Sequence, residues 1–258
     1  MPETPVQTSA RRPRVWCPGP WPANGRIILP PEATHHLTRV LRMKDGEPIE
    51  LFDGQGRRAP SRLDLQSSAM ATVQLEDQGI QTPPPPLQIR LAQALAKGDK
   101  MDWIIEKAVE LGVSAIQPLQ GRRSVVELHG QRLAQRVAHW QRVVVAAATQ
   151  CGQDHLPLMS PPQPAGHWFE DPGELGAPAL RLLLDPLGTH NLESVVGDAM
   201  PDRIDLAIGP ESGWDPGEIE IAVRRGWRLL RVGPRVLRTE TAGLAVLAAL
   251  QSRWGDWR

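Results

Sequence analysis

Two short apolar runs near the C-terminus, each ending in Gly-Pro, constrain this chain of 258 residues more than any other feature. The first ends at Ile208-Gly209-Pro210 and continues as Glu211-Ser212-Gly213-Trp214. The second ends at Val232-Gly233-Pro234 and continues as Arg235-Val236-Leu237-Arg238-Thr239-Glu240. Glycine lets a ligand approach the backbone closely, and proline fixes the turn. The pattern therefore reads as two neighbouring strands whose C-terminal ends open into ligand-binding loops at the carboxyl edge of an α/β sheet. A third strand end, Asp185-Pro186-Leu187-Gly188 after the apolar run Leu180 to Leu184, joins them. Ordinary βα connections are the competing reading, but such loops seldom repeat Gly-Pro followed by a polar residue.

The rest of the chain divides at Pro83 to Pro86, four consecutive prolines that can continue neither a helix nor a central strand. Residues 1–12 read as a disordered tail without the apolar core of a signal peptide. Residues 13–78 read as a mostly β domain. Its strands are expected at Arg26 to Leu29, Pro48 to Phe52, Arg62 to Leu65 and Met70 to Leu75, with a helix at Pro31 to Met43 and a hairpin signal at Asp53-Gly54. A small barrel fits that length. After a linker at 79–86, residues 87–258 alternate strand and helix, as in a parallel sheet covered on both faces. Lys100 to Leu111 has helical apolar spacing and stops at Gly112, and Asp215-Pro216-Gly217-Glu218 has the pattern of a capped helix start. Leu156 to Pro178, rich in Pro and Gly, is expected to be a long surface loop.

Net charge is zero, so only its distribution informs. Ala10 to Lys44 holds seven Arg or Lys residues against Glu32, and Arg224 to Arg238 holds six arginines and no acid. Two basic stretches in a neutral chain suit a polyanion on one face, with scattered solvated charge as the alternative. Cys17 and Cys151, the two cysteines, have no metal or redox spacing, and a reducing cytoplasm is expected. No apolar run is long enough for a membrane span. Neither a Rossmann fingerprint, a P-loop, a zincin motif nor a nucleophile elbow is present. Adjacent His35 and His36 diverge by about 100° on a helix, so no metal is expected there.

Several blocks carry a resemblance. They are His35-His36-Leu37 through Arg42, Glu50-Leu51-Phe52-Asp53-Gly54, and Lys97-Gly98-Asp99-Lys100-Met101-Asp102. Further blocks are Glu106-Lys107-Ala108 with Glu110 to Val113, Arg123 to Val126, and Gln150-Cys151-Gly152. With the two C-terminal loops they cover nearly the whole chain, which resembles the ribosomal RNA small subunit methyltransferase E family of the SPOUT class. That resemblance implies an α/β trefoil-knot methyltransferase domain preceded by a PUA-like β-barrel that helps bind RNA. It further implies a cytoplasmic homodimer with S-adenosylmethionine as cofactor. The reaction implied is methylation of N3 of a uridine (uridine 1498) in 16S rRNA of the small ribosomal subunit.

Carried over residue by residue, the resemblance places the cofactor against Leu184, Asp185, Pro186 and Gly188 of the first loop. The second loop contributes Ile208, Gly209, Pro210, Glu211 and Gly213. The third contributes Val232, Gly233, Pro234, Val236, Leu237, Arg238 and Thr239. The chemistry then calls for a group to accept the N3 proton and a cation to stabilise the uracil anion. Glu211 or Glu240 is the proton-handling or cofactor-orienting candidate, and Arg238 with Arg235 would hold the base or its phosphate. Arg14, Arg39 and Arg42 are the candidates for gripping RNA backbone. The family usually has two glycines and Phe where Ser212, Gly213 and Trp214 stand here, and often Glu in place of Thr149 and Asp185. A SPOUT enzyme acting on another rRNA or tRNA site, and a non-catalytic RNA-binding protein of the same fold, remain as other readings.

Overall fold

The computed structural model describes residues 12–67, 70–124, 128–171, 179–195 and 199–257. The expected N-terminal tail lies outside these residues, apart from Arg12. The chain forms two compact units that divide between Pro84 and Pro85.

The first unit is built on one sheet, with strands β1 (Arg14–Trp16), β2 (Arg26–Ile28), β3 (Pro48–Phe52), β4 (Arg57–Ser67), β5 (Met70–Leu75) and β6 (Ile80–Gln81). The order is β1-β3-β4-β5-β2, and β6 pairs with the start of β4. Residues 80 and 81, read from the sequence as the start of the linker, are thus a strand of this sheet. Strand β1 was not legible: three residues between prolines show no alternation to read. Alternating positions of β3 to β5 bury Ile49, Leu51, Leu63, Ala71 and Val73 together with Leu37. Leu37 comes from helix α1 (Pro31–His35) and the π-type turn that follows at His36–Val40. The expected continuous helix therefore widens. Leu41 N–H bonds to the His36 carbonyl at 2.9 Å, and Arg42 leaves the turn with φ +54°.

The second unit has a parallel sheet of β7 (Gln88–Ala94), β8 (Ala115–Gln120), β9 (Leu158–Met159), β10 (Gln163–Pro164), β11 (Ala179–Leu184), β12 (Arg203–Ile208) and β13 (Arg228–Leu230). Its order is β10-β8-β7-β12-β11-β13, with β9 also on β8. Its helices are α2 (Lys100–Glu110), α3 (Gly130–Cys151), α4 (Ala165–Glu170), α5 (Leu192–Val195), α6 (Pro216–Arg224) and α7 (Thr239–Trp254). The stretch expected to be a long surface loop instead carries β9, β10 and α4. Its Trp168 and Phe169 are buried in an aromatic cluster with Trp214 and Trp227, with centroids 5.1 to 5.8 Å apart. Two adjacent large aromatics drive this burial, which a count of Pro and Gly does not register. Residues 172–178 of that stretch lie outside the described ones.

Helix α6 starts as its sequence predicts. Asp215 Oδ1 accepts from Gly217 N–H at 3.0 Å and Glu218 Oε2 accepts from Asp215 N–H at 3.0 Å, a complete capping box. After β13 the chain turns back, and α7 packs against β7, β12 and α2. Gly243 permits that approach, since a Cβ there would meet Ile208 Cγ1 at 3.1 Å and Leu91 Cδ1 at 3.4 Å. Gln251 fastens the far end by donating to the carbonyls of Leu111 and Gly112 at 3.0 and 3.1 Å.

Candidate active site

The sheet order places β7 beside β12, with β8 on one side and β11 and β13 on the other. The chain runs outward to β8 and then resumes on the opposite side, so the carboxyl ends of β7 and β12 flank a topological switch point, where α/β sheets bind ligands. A cavity of about 460 Å³ opens at this edge, large enough for a small cofactor.

Three loops shape it. In the first, Asp185 Oδ1 accepts from Leu187 N–H at 2.7 Å, and Asp185 N–H reaches the Leu230 carbonyl at 3.0 Å, which hooks the loop to β13. The second loop is held from both sides. Thr239 Oγ1, at the start of α7, donates to the Gly209 carbonyl at 2.6 Å, and Ser212 Oγ donates to the Arg123 carbonyl at 2.8 Å. Trp214 folds back over Gly209, where a Cβ would lie 3.2 Å from the indole, and its Nε1–H donates to the Leu184 carbonyl at 3.2 Å. Ser212 and Trp214 thus form side-chain hydrogen bonds that the glycine and phenylalanine usual in the family cannot make. Gly213 and Gly233 have φ of +74° and +70° with no neighbour near a notional Cβ, so bare backbone faces the cavity side of both loops.

The walls have two electrical characters. On one side Lys100, the first residue of α2, places Nζ 3.2 Å from both Glu211 Oε1 and Glu240 Oε2. The Glu240 carboxylate first, and Glu211 second, hold the Lys100 ammonium above its ordinary pKa. Burial pushes the Glu211 carboxyl up, but its own backbone N–H, Lys100 and the Lys97 N–H outweigh that and leave it below the usual carboxylate range. On the other side Arg231, Arg235 and Arg238 line the cavity, all exposed and none in an ion pair with another described residue. One wall favours a cation and the other an anion.

Of the residues named from the sequence, Leu184, Asp185 and Pro186 line the cavity, as do Ile208, Gly209, Pro210, Glu211 and Gly213. Val232, Gly233, Pro234, Val236, Leu237, Arg238 and Thr239 line it too, and Arg235, assigned to RNA, lies with them. Gly188 does not. A Cβ there would sit 2.8 Å from the Leu229 oxygen and the Leu230 carbonyl carbon, so its place is explained by packing on β13. Glu240 is not a wall residue either; it reaches the site through Lys100. Lys100, Trp214, Leu230, Arg231 and Ala242 also line the cavity and were not among the cofactor residues expected. Lys100 follows β7, and nothing local sets it apart until the sheet places β7 beside β12.

The basic residues of the first unit separate clearly. Arg14 is 5 % exposed in its side chain, pairs with Glu50 at 2.9 Å and stacks on Phe52, so it serves the fold and is not presented to RNA. Arg12 and Arg26 are likewise paired, with Glu76 and Asp64. Arg39 and Arg42 are exposed beside the exposed Val40 and Leu41.

Residues 83–251 match the model of the RNA methyltransferase domain family, and residues 29–63 match that of the RNA methyltransferase PUA domain. Fold and site therefore define an RNA methyltransferase architecture. A ribosomal RNA small subunit methyltransferase E from Synechocystis is 33% identical over 88% of this chain and 73% of its own length. One from Buchnera aphidicola of Schizaphis graminum is 30% identical over 95% of this chain and 98% of its own. The chain belongs to the ribosomal RNA small subunit methyltransferase E family. Among solved structures, the family member from Neisseria gonorrhoeae, bound to S-adenosylmethionine, superposes with a TM-score of 0.87 at 32% identity, covering 96% of this chain and 100% of that one. A Legionella pneumophila protein solved with S-adenosylmethionine gives 0.88 at 32% identity, covering 95% and 99%.

Proposed function

We propose that this chain methylates N3 of a uridine in 16S rRNA, uridine 1498 in the family's numbering of that RNA, using S-adenosylmethionine. The observation that carries the reading is the two-sided cavity at the carboxyl edge, in a chain of this family. The residues present fit the cofactor. Leu184, Ile208, Leu230 and Val232 offer apolar surface, and Gly213 and Gly233 offer bare backbone. Glu211 on the wall and Glu240 behind Lys100 give that side two carboxylates to one ammonium, a net negative charge that complements a sulfonium. Bound there, S-adenosylmethionine would supply an electrophilic methyl group.

The chain's own groups do the rest. Glu211 or Glu240 takes the N3 proton, directly or through water, so that the nitrogen becomes a nucleophile. Arg235 and Arg238 face the uracil anion or its phosphate and stabilise that charge in a partly enclosed site. Residues 87–258 form the catalytic domain and residues 13–78 the RNA-binding one, with Arg39 and Arg42 on RNA backbone. A cytoplasmic homodimer completes the proposal. Leu187 and Val236, 89% and 78% exposed, are apolar residues on the site's own loops that a second copy would cover. No helix among the described residues is long and apolar enough to cross a membrane.

The test is to measure methyl transfer to unmodified small subunits by Arg238→Ala and Glu240→Gln. Losses of about 100-fold or more are expected for both. Native rates in both folded variants would remove these residues from the mechanism.

A further inference from the structure

Lys100 lines the cavity but has no role in the reading above, yet it joins three separate elements: the start of α2, the loop after β12 and the first turn of α7. Its ammonium has three N–H donors. One hydrogen-bonds Glu211 Oε1 at 3.2 Å, and Glu240 Oε2 lies at the same distance as an ion pair. Glu240 Oε2 is shut off from solvent and has no hydrogen-bond partner, so the ammonium is the charge that compensates it. An uncompensated carboxylate at that depth would be costly, and two carboxylates sharing one wall would repel.

We propose that Lys100 is a positioning residue for methyl transfer, tying the wall carboxylate of Glu211 to the Glu240 carboxylate behind it. The inference rests on the methyltransferase reading and adds a residue to it. Other charged groups lining the cavity are Asp185 from the loop after β11 and Arg231, Arg235 and Arg238 from the segment before α7. Among the described residues none of these bonds Glu211 or Glu240, and on α2 Asp102 is engaged by His139 of α3. Lys100 is therefore the cation that bridges the two carboxylates. Its effect is electrostatic first, and the lowered pKa of Glu211 has the same direction.

The experiment compares native protein, Lys100→Gln and Lys100→Arg in methyl transfer to unmodified small subunits from pH 6 to pH 9, with melting curves to verify folding. Without the ammonium, Glu211 loses one of the groups that hold its carboxyl low and binds a proton more readily. The Lys100→Gln rate should fall most at the acid end, by about tenfold for each unit by which the controlling pKa rises. The ratio of variant to native rate should climb with pH, and Lys100→Arg should restore most of the profile. A ratio that stays constant across pH, or an arginine variant as impaired as the glutamine one, would overturn the proposal and leave a packing role. If the native protein transfers no methyl group at all, the failure belongs to the reading of the reaction and not to Lys100. Binding of S-adenosylmethionine by calorimetry then decides: an affinity that drops as pH is lowered, more steeply in Lys100→Gln than in the native protein, sustains the wall, and equal pH profiles reject it.

Discussion

The Thr239 hydroxyl donates to the Gly209 carbonyl at 2.6 Å and accepts from Gln93 Nε2 at 2.9 Å, so one side chain couples the last helix to the ends of two central strands. Thr239→Val keeps the shape and deletes the donor. The Gly209 carbonyl and the buried Gln93 amide then lose a partner each. A loss of about 1–3 kcal/mol in unfolding free energy is expected by denaturant titration, with weaker S-adenosylmethionine binding by calorimetry. Thr239→Ser should restore most of both.

Gly188 and Gly209 are both intolerant of a Cβ, for different reasons, and alanine should distinguish them. At Gly188 the obstacle is backbone of β13 at 2.8 Å, which cannot yield cheaply. Gly188→Ala should lower stability by about 1–3 kcal/mol, read as a drop in melting temperature. At Gly209 the obstacle is the Trp214 ring at 3.2 Å, a cavity-lining side chain. Gly209→Ala should weaken cofactor binding more than stability. Trp214→Phe, which deletes the bond to the Leu184 carbonyl and trims the ring over Gly209, should do so to a smaller degree.

Much of this site was legible because strand-end loops are written in local sequence: Gly-Pro after an apolar run marks the loops following β12 and β13 without any knowledge of the sheet. Asp215 and Glu218 announced their capping box for the same reason. What failed to show depends on partners distant in sequence. Arg14 reads as a free basic residue until β1 pairs with β3 and sets it against Glu50 and Phe52. Three of the seven basic residues in the first part of the chain, Arg12, Arg14 and Arg26, pair with Glu76, Glu50 and Asp64, which lie well downstream of it. Lys100 becomes a site residue only once β7 lies next to β12. Trp168 and Phe169 reveal their burial only when α4 meets Trp214 and Trp227.

Asp205 is fully buried and accepts two hydrogen bonds from Arg90, at 2.8 and 2.9 Å, while Arg203 and Arg181 approach at 3.5 and 4.0 Å. The pairing Arg90↔Asp205↔Arg181 runs straight across three parallel strands. Removing the one carboxylate strands guanidiniums in the interior. Asp205→Ala should cost about 3–5 kcal/mol, measured by chemical denaturation. Arg181→Ala, at a longer distance and more exposed, should cost far less.

Two titrations carry a sign. Glu76 is held below the usual carboxylate range, first by its hydrogen bond from Arg12 and also by the charges of Arg12 and Arg62. Its contribution to stability is therefore present above the ordinary carboxylate pKa and fades as pH falls through the lowered value. Arg12→Ala should flatten that acid limb in melting experiments. Burial pushes the Cys17 thiol up, so the neutral form is favoured and its contribution is lost only as pH rises through the raised value. Cys17 is buried and Cys151 partly exposed. Iodoacetamide at pH 8 should label Cys151 first, with Cys17 reacting after denaturation; mass spectrometry of tryptic peptides reads the order.

The most direct measurement is to incubate the purified protein with S-adenosylmethionine and small ribosomal subunits lacking the modification, then map methylated nucleosides in 16S rRNA by mass spectrometry. The account predicts N3-methyluridine at a single decoding-region position. Methylation at a different nucleotide, or none despite bound cofactor, would contradict it.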